Sequence, residues 1–328
     1  MKILITVLLL ASLRLTCSGQ TIIYSLPGRF DKEISQQDYK TIADMSMAAV
    51  AKRYKIDSLN NGTIILSPKQ DMFAFNLDNL ILKCNAESDH SKWPVIIDGH
   101  FNMLFNSIDA KKSINSQSYD SIRSNLSIRI YPNSTIEQRG GATNFISRTD
   151  LEGTTTLLML DLPDAFTPVS KKDFDFWHKT IDDVFKEAIT NVDKQKIDKV
   201  TKVFSVDGVQ IEFNFLENED YAASYALDLS NNSPELVGEW GSVVVIPNKG
   251  LVSVCKISKD KPVDFVKYIE RIKPLTDKSY TQHPSPVSRE FYWYYQGKFT
   301  LIAVKTDDKG NINITAPVGL SALFAEKK

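Results

Sequence analysis

Trp93-Pro94-Val95-Ile96-Ile97-Asp98-Gly99-His100-Phe101 and Trp177-His178-Lys179-Thr180-Ile181-Asp182-Asp183-Val184-Phe185 carry Trp, Ile, Asp and Phe at the same spacing. On a helix, steps of four align Trp, Ile and Phe along one apolar stripe and leave the Asp off it. Each phrase follows an apolar run, Leu80-Ile81-Leu82 in the first case and Thr154 to Leu162 in the second. The pairing predicts a duplicated strand-then-helix unit. It bears on architecture and carries no chemistry of its own.

Outward from these phrases, Ser35 with Asp38 three residues on has capping-box spacing, and Tyr39, Ile42, Met45 and Ala49 form a helical stripe reaching to about Tyr54. Asn60-Asn61-Gly62 reads as a turn, Thr63 to Ser67 as a strand, and Met72 to Phe75 as a short extended segment. Asp109 to Ser124 is rich in Ser, Asn, Lys and Gln and reads as a linker or surface loop. Leu126 to Tyr131 alternates apolar and polar residues as a strand does. Ser170 and Asp173 repeat the capping-box spacing before the second Trp phrase.

Beyond it come a strand at Val209 to Phe215, an Ala-rich helical segment from Tyr221 to Leu229, and a hairpin around Pro247-Asn248-Lys249-Gly250. A helix set with Phe265, Val266 and Ile269 follows, and an aromatic hairpin, Phe291 to Tyr295 and Phe299 to Val304, turns at Gln296-Gly297. Helices and hairpins alternate without a tight βαβ rhythm. The class is α+β, with repeated strand–helix units, antiparallel hairpins and helices packed on the sheet.

The chain has 328 residues, a net charge of −1 and 42% hydrophobic residues, enough for one large core or two ordinary ones. Lys2, the apolar run Ile3 to Leu13 and the small-residue exit Cys17-Ser18-Gly19 read as a secretory signal over residues 1–19, with a mature start at Gln20. The expectation is therefore an exported protein, periplasmic or secreted. The apolar run is about half the roughly 20 residues that span a bilayer, so no transmembrane segment is expected. Cys17 invites a lipoprotein reading, but Arg14 and Thr16 stand where a lipobox has Leu and a small Gly or Ala, so lipid attachment is not expected. The remainder divides into an N-terminal α+β unit, 20–119, and a C-terminal α+β region, 120–328. No clustered Lys/Arg face or nucleic-acid motif is present, and nucleic-acid partners are not expected. Cys84 and Cys255 could form a bridge in an oxidising compartment, but each sits in an apolar run, which favours two buried free thiols.

From about residue 126 to 305 the chain carries Ile130-Tyr131-Pro132, a Thr-rich strand ending Leu160-Asp161, the Trp177 helix, Asp220-Tyr221-Ala222-Ala223-Ser224, Val237-Gly238, the Val243 to Pro247 strand and a closing aromatic strand with a Gly turn. In that order these fragments resemble the YtpQ-like bacterial family, a domain of unknown function. The resemblance implies an α+β fold and brings no activity, cofactor or catalytic residue. Members of that family look cytoplasmic, and the signal-like segment here departs from them.

No catalytic or metal set emerges. His90, His100, His178 and His283 make no His-x-x-x-His or Cys/His arrangement; Asp98 with His100 is the best metal candidate and reads more simply as an exposed helix pair. Gly-x-Ser-x-Gly and phosphate-loop spacings are absent, and Gly140-Gly141 and Lys249-Gly250 read as loop and turn. Asp161 with Asp164, and Asp182 with Asp183, are the carboxylate pairs that could serve hydrolysis if about 5 to 9 Å apart. No cofactor is expected. The binding candidate is the aromatic hairpin: alternation sends Phe291, Trp293 and Tyr295 to one face and Tyr292 and Tyr294 to the other, with Arg289 and Gln296 as a polar rim. Tyr292, Tyr294 and Arg289 are thus the expected binding residues of a non-catalytic module for a small ligand or a protein. A helix-covered sheet would instead absorb these rings as core. The alternative is an extracytoplasmic hydrolase using a carboxylate pair or an irregular metal site.

Overall fold

The computed structural model describes residues 21–67, 74–138, 141–163 and 165–326. The segment read as an export signal, Met72, Gly140 and Asp164 lie outside the described residues. The chain is α+β and splits into two compact units between Met103 and Leu104, 16 residues before the boundary read from composition.

In the first unit, β1 (Thr21–Ile22), β2 (Ile56–Asn60), β3 (Thr63–Leu66) and β4 (Ala74–Asn76) form one sheet in that order, with β1 parallel to β2 and the rest antiparallel. The β2–β3 turn places Asn61 and Gly62 at φ 44° and 72°, the left-handed pair a tight hairpin requires. Helix α1 (Gln36–Ala51) starts as its sequence dictates: Ser35 Oγ accepts from the Asp38 amide at 3.0 Å and donates to its carboxylate at 2.7 Å.

Leu80-Ile81-Leu82 is helical, within α2 (Asp78–Asn85), so the strand expected there is corrected. Leu77, Leu80, Ile81 and Cys84 are all buried and follow a helical step of three and four, a period hidden by the short apolar run. Helix α3 (Trp93–Ser113) buries Trp93, Ile97 and Phe101 as the stripe predicts, and the Trp93 indole donates to the Cys84 carbonyl at 2.9 Å.

In the second unit, β5 (Leu126–Pro132), β6 (Ser147–Arg148), β7 (Thr154–Leu162) and β8 (Ala165–Pro168) form a small antiparallel sheet around β7. Seven further strands make an antiparallel sheet: β9 (Asp198–Val206), β10 (Val209–Glu217), β11 (Ser242–Asn248), β12 (Leu251–Lys256), β13 (Phe291–Tyr295), β14 (Lys298–Thr306) and β15 (Ile312–Thr315). Their spatial order is β15-β14-β13-β11-β12-β10-β9.

The segment read as a linker is ordered structure: α3 continues to Ser113 and α4 (Tyr119–Ile122) follows. It is tied down by the Trp177 indole, which donates to the Ser116 carbonyl at 2.7 Å and packs on the Tyr119 ring at 6.0 Å. The short α5 (Asn133–Gln138) follows β5, and α6 (Lys171–Asp175) begins on a Ser170–Asp173 cap.

The second Trp phrase does not repeat the first. The helix ends before Trp177, His178 takes φ 50°, and a new helix α7 (Ile181–Val192) starts on Thr180, whose Oγ1 accepts from the Asp183 amide at 3.1 Å. Ile181 therefore falls in a first turn and is 43% exposed, whereas Ile97 is 1% exposed. Thr180-x-x-Asp183 is itself a capping box, and it overrides the stripe.

Both faces of the large sheet are covered. One packs Phe213, Val243, Val245, Phe291 and Trp293 against α10 (Asp264–Gln282) and Leu320 of α11 (Val318–Glu326). The other packs Leu216, Val244, Val252, Tyr292 and Tyr294 into a core with α7, α8 (Ala222–Tyr225) and the inner face of β5 and β7; α9 (Leu229–Asn232) supplies Leu229. Among the described residues no helix is long and apolar enough to cross a membrane.

Candidate functional site

The aromatic strand offers no open platform. Phe291, Tyr292 and Tyr294 are 1%, 0% and 0% exposed, because a sheet covered on both faces buries alternate residues alike. The Tyr292 hydroxyl donates to the Glu152 carbonyl at 2.7 Å and lies 2.9 Å from Ser288 Oγ; the Tyr294 hydroxyl donates to Ser230 Oγ at 2.8 Å. Arg289 is exposed and stacks over Tyr280, 4.4 Å from its centroid. Tyr292 and Tyr294 are corrected from contact surface to core, and the ring that Arg289 covers is Tyr280 of the helix Asp264–Gln282.

The other candidates also separate. Asp98 pairs with Lys52 at 3.1 Å on the surface, and burial pushes the His100 imidazole down to about 4, keeping it neutral. Asp183 serves as the α7 cap, bound by Thr180. Cys84 and Cys255 are free and buried, with burial raising their thiols to about 11 and about 12. Among the described residues no three His, Cys, Asp or Glu side chains converge on a metal position.

Polar groups do gather at the edge of the small sheet. Pleating points Ile128, Ile130, Leu158 and Leu160 into the core, and turns Ser127, Arg129 and Tyr131 of β5, with Leu157, Met159 and Asp161 of β7, to the other face. Across this face Ser127 sits opposite Met159, Arg129 opposite Leu157, and Asp161 opposite Phe166 of β8. At its polar end lies a cleft of about 270 Å³ lined by Ser127, Asp161, Asn191, Lys194, Gln195 and Tyr221, among others.

Within the cleft the Tyr221 phenol donates to Asp161 Oδ2 at 2.5 Å. Burial raises the Asp161 carboxyl, an effect opposed by the Tyr221 bond and by the nearby Arg129 charge. Tyr221 is itself held by Asn218, whose Oδ1 accepts from the Asp220 and Tyr221 amides at 2.9 Å each. Asp220 is fixed by Arg129 at 2.8 Å and Lys249 at 3.1 Å, and despite its burial these cations keep its carboxyl low. Arg129 lies 3.7 Å over the Phe166 ring, and Phe166 meets Tyr221 edge-on at 5.6 Å. Charges and rings thus immobilise the Tyr221 phenol against Asp161.

Two polar atoms of the cluster stand outside this network, the Arg129 Nε, buried without a hydrogen-bond partner among the described residues, and the Ser127 hydroxyl. Ser127 is 1% exposed, and its hydroxyl has no hydrogen-bond partner among the described residues. A buried unpaired hydroxyl costs about 1–3 kcal/mol. Sequence reading flagged Asp161 as half of a carboxylate pair, but missed Ser127, Arg129 and Tyr221. The alternation of Leu-Ser-Ile-Arg-Ile-Tyr placed Ser127 and Arg129 on one face; that this face is covered could not be read from one strand.

Close by, α7 ends at a carboxyl pair. Burial first, then the Asp228 carboxylate, raise Asp193 from 3.8 to about 6, while the Asn232 amide donates to it at 2.7 Å and works the other way. Folding therefore favours the protonated form. That contribution is fully present below about pH 4 and is lost as pH rises through about 6. Asp228→Asn is expected to remove the repulsion, so the mutant's gain in melting temperature over wild type grows from pH 4 to pH 7. A constant difference across that range, in paired thermal scans, is the contrary result.

Compared with family models, curated proteins and solved structures, the chain matches none of them.

Proposed function

We propose that this chain is an exported, non-catalytic binding module that takes a small polar ligand in the Ser127–Asp161–Tyr221 cleft. Export rests on the signal-like character of residues 1–19. Binding rests on one observation above the rest: Ser127, whose buried hydroxyl is unpaired among the described residues, is one of the residues lining a cleft of about 270 Å³. A buried polar group without a partner calls for an explanation, and a ligand in the adjoining cleft supplies one. A ligand donating to or accepting from Ser127 Oγ supplies the missing bond. Ser127 has no base bonded to it among the described residues, and Tyr221 already engages Asp161, so the arrangement favours holding a ligand over attacking one.

The reading makes two linked predictions for Ser127→Ala. Its stability should equal wild type or exceed it by up to about 1 kcal/mol, because the lost hydroxyl satisfies nothing. In a fragment screen followed by amide NMR, polar fragments should shift Ser127, Asp161, Gln195 and Tyr221 in wild type and not in the variant. A screen whose hits never reach these four amides, or a variant destabilised by more than about 1 kcal/mol, would overturn the reading.

A further inference from the structure

The face of the small sheet turned away from the core carries an apolar cavity that shares no lining residue with the polar cleft. Its volume is about 160 Å³, and its lining includes Tyr131, Ile136, Phe145, Leu157, Met159 and Phe166. Leu157 and Met159 of β7 and Ile136 of α5 are buried, while Tyr131, Phe145 and Phe166 are half-buried. The first three make a floor, and the three rings a rim toward solvent.

Backbone bonds hold the walls in place. The Gly141 amide donates to the Ile136 carbonyl at 2.9 Å, which closes α5 against the segment that follows it. That segment is tied to the chain beyond β8, because the Ile146 amide donates to the Val169 carbonyl at 3.2 Å and the Lys171 amide to the Asn144 carbonyl at 2.9 Å. Phe166 is clamped by Arg129, which lies 3.7 Å from its ring centroid. A space framed in this way resists collapse, and its lining atoms lack packing partners on one side. Water gains little there, since the Tyr131 phenol is the only polar side-chain group in the lining among the described residues. Packing elsewhere is closer: the space between α10 and the large sheet, bounded by Phe215, Val245 and Ile272 among others, is about 10 Å³, room for one water.

The lining selects the occupant. About 150 Å³ of apolar space accommodates benzene, so one six-membered ring fits beside Met159. No lining side chain among the described residues is charged, and a charged guest would give up its hydration with nothing to replace it. Three aromatic side chains and the Met159 thioether surround the space, and ring–ring and sulfur–ring contacts favour an aromatic guest over a saturated one of the same size. We propose that this cavity binds a neutral single-ring aromatic molecule, as a second site independent of the polar-cleft reading above.

The experiment is amide NMR of the full chain titrated with benzyl alcohol, cyclohexylmethanol and benzylammonium, which are close in size and differ in aromaticity or charge. Benzyl alcohol is expected to shift the Leu157, Met159 and Phe166 amides saturably, with cyclohexylmethanol at least about threefold weaker and benzylammonium at least about tenfold weaker. Leu157→Trp fills the floor and should abolish these shifts while the melting temperature stays at or above that of wild type. Ile136→Ala widens the cavity and should raise affinity for 2-naphthylmethanol relative to benzyl alcohol at least about fivefold, a change that mere loss of packing would not produce. Absence of a saturable shift at the three amides, benzylammonium binding as tightly as the alcohol, or shifts that persist in a folded Leu157→Trp variant overturns the proposal. If Leu157→Trp does not fold, Ile136→Ala decides, and an unchanged size preference overturns the proposal. The polar cleft has its own reporter at Gln195, so failure of either reading leaves the other standing.

Discussion

Gly241→Ala is expected to destabilise the second unit by about 2–5 kcal/mol, combining the roughly 1–2 kcal/mol of a left-handed backbone with the roughly 1–3 kcal/mol of overpacking. Gly241 has φ 79°, and a Cβ there would lie 2.3 Å from the Tyr294 carbonyl oxygen and 2.8 Å from the Trp293 indole nitrogen. The obstacle is backbone and a committed ring. The Gly241 amide donates to the Gly238 carbonyl, and the Ile257 amide donates to the Gly241 carbonyl, both at 2.9 Å, so the turn is held on both sides. Gly208 supplies the control: its φ is also 79° but nothing lies within 4 Å of its added Cβ. Gly208→Ala should therefore cost only the backbone share, about 1–2 kcal/mol. Urea unfolding of the two variants separates the terms, and similar losses at both positions would show that the close approach at Gly241 is not rigid.

Trp293→Ala should cost about 3–5 kcal/mol, the range for deleting a large buried aromatic. The ring is 6% exposed, stacks on Tyr295 at 4.9 Å, and donates its indole N–H to the Trp240 carbonyl at 2.7 Å. It also meets α11 so closely that a Cβ on Gly319 would fall 2.9 Å from its ring. Truncation removes the packing and leaves the Trp240 carbonyl unpaired. Trp293→Phe separates these contributions, since it retains most of the apolar bulk; its loss should be less than half that of the alanine variant. Chemical denaturation with near-ultraviolet circular dichroism measures both, and a loss below about 1 kcal/mol in the alanine variant would place this ring outside the core.

The aromatic strand also shows where the sequence stops being legible. Alternation assigned its five rings correctly to two faces, but whether a face meets water depends on elements brought over it from elsewhere in the chain. The α10 and α11 helices cover one side, while α7 and the small sheet cover the other. Local signals that close within a few residues, such as the Ser35–Asp38 and Ser170–Asp173 caps and the Asn61-Gly62 turn, were readable because their physics is local. The matched Trp phrases misled because spacing alone ignores a cap inserted between Trp177 and Phe185. Leu80-Ile81-Leu82 misled for the opposite reason: three residues cannot distinguish a strand from a helix. At the candidate site, Asp161 and Tyr221 stand 60 positions apart, and only the packing of α8 on β5 and β7 unites them.

The two buried thiols among the described residues fall one on each side of the Met103–Leu104 division. Both are poor nucleophiles while covered, so an alkylating reagent registers only opening events. Pulse alkylation followed by peptide mass mapping would then time the opening of each half separately in a single unmodified sample, with Cys84 as reporter for one and Cys255 for the other. The chain thus carries its own pair of internal clocks.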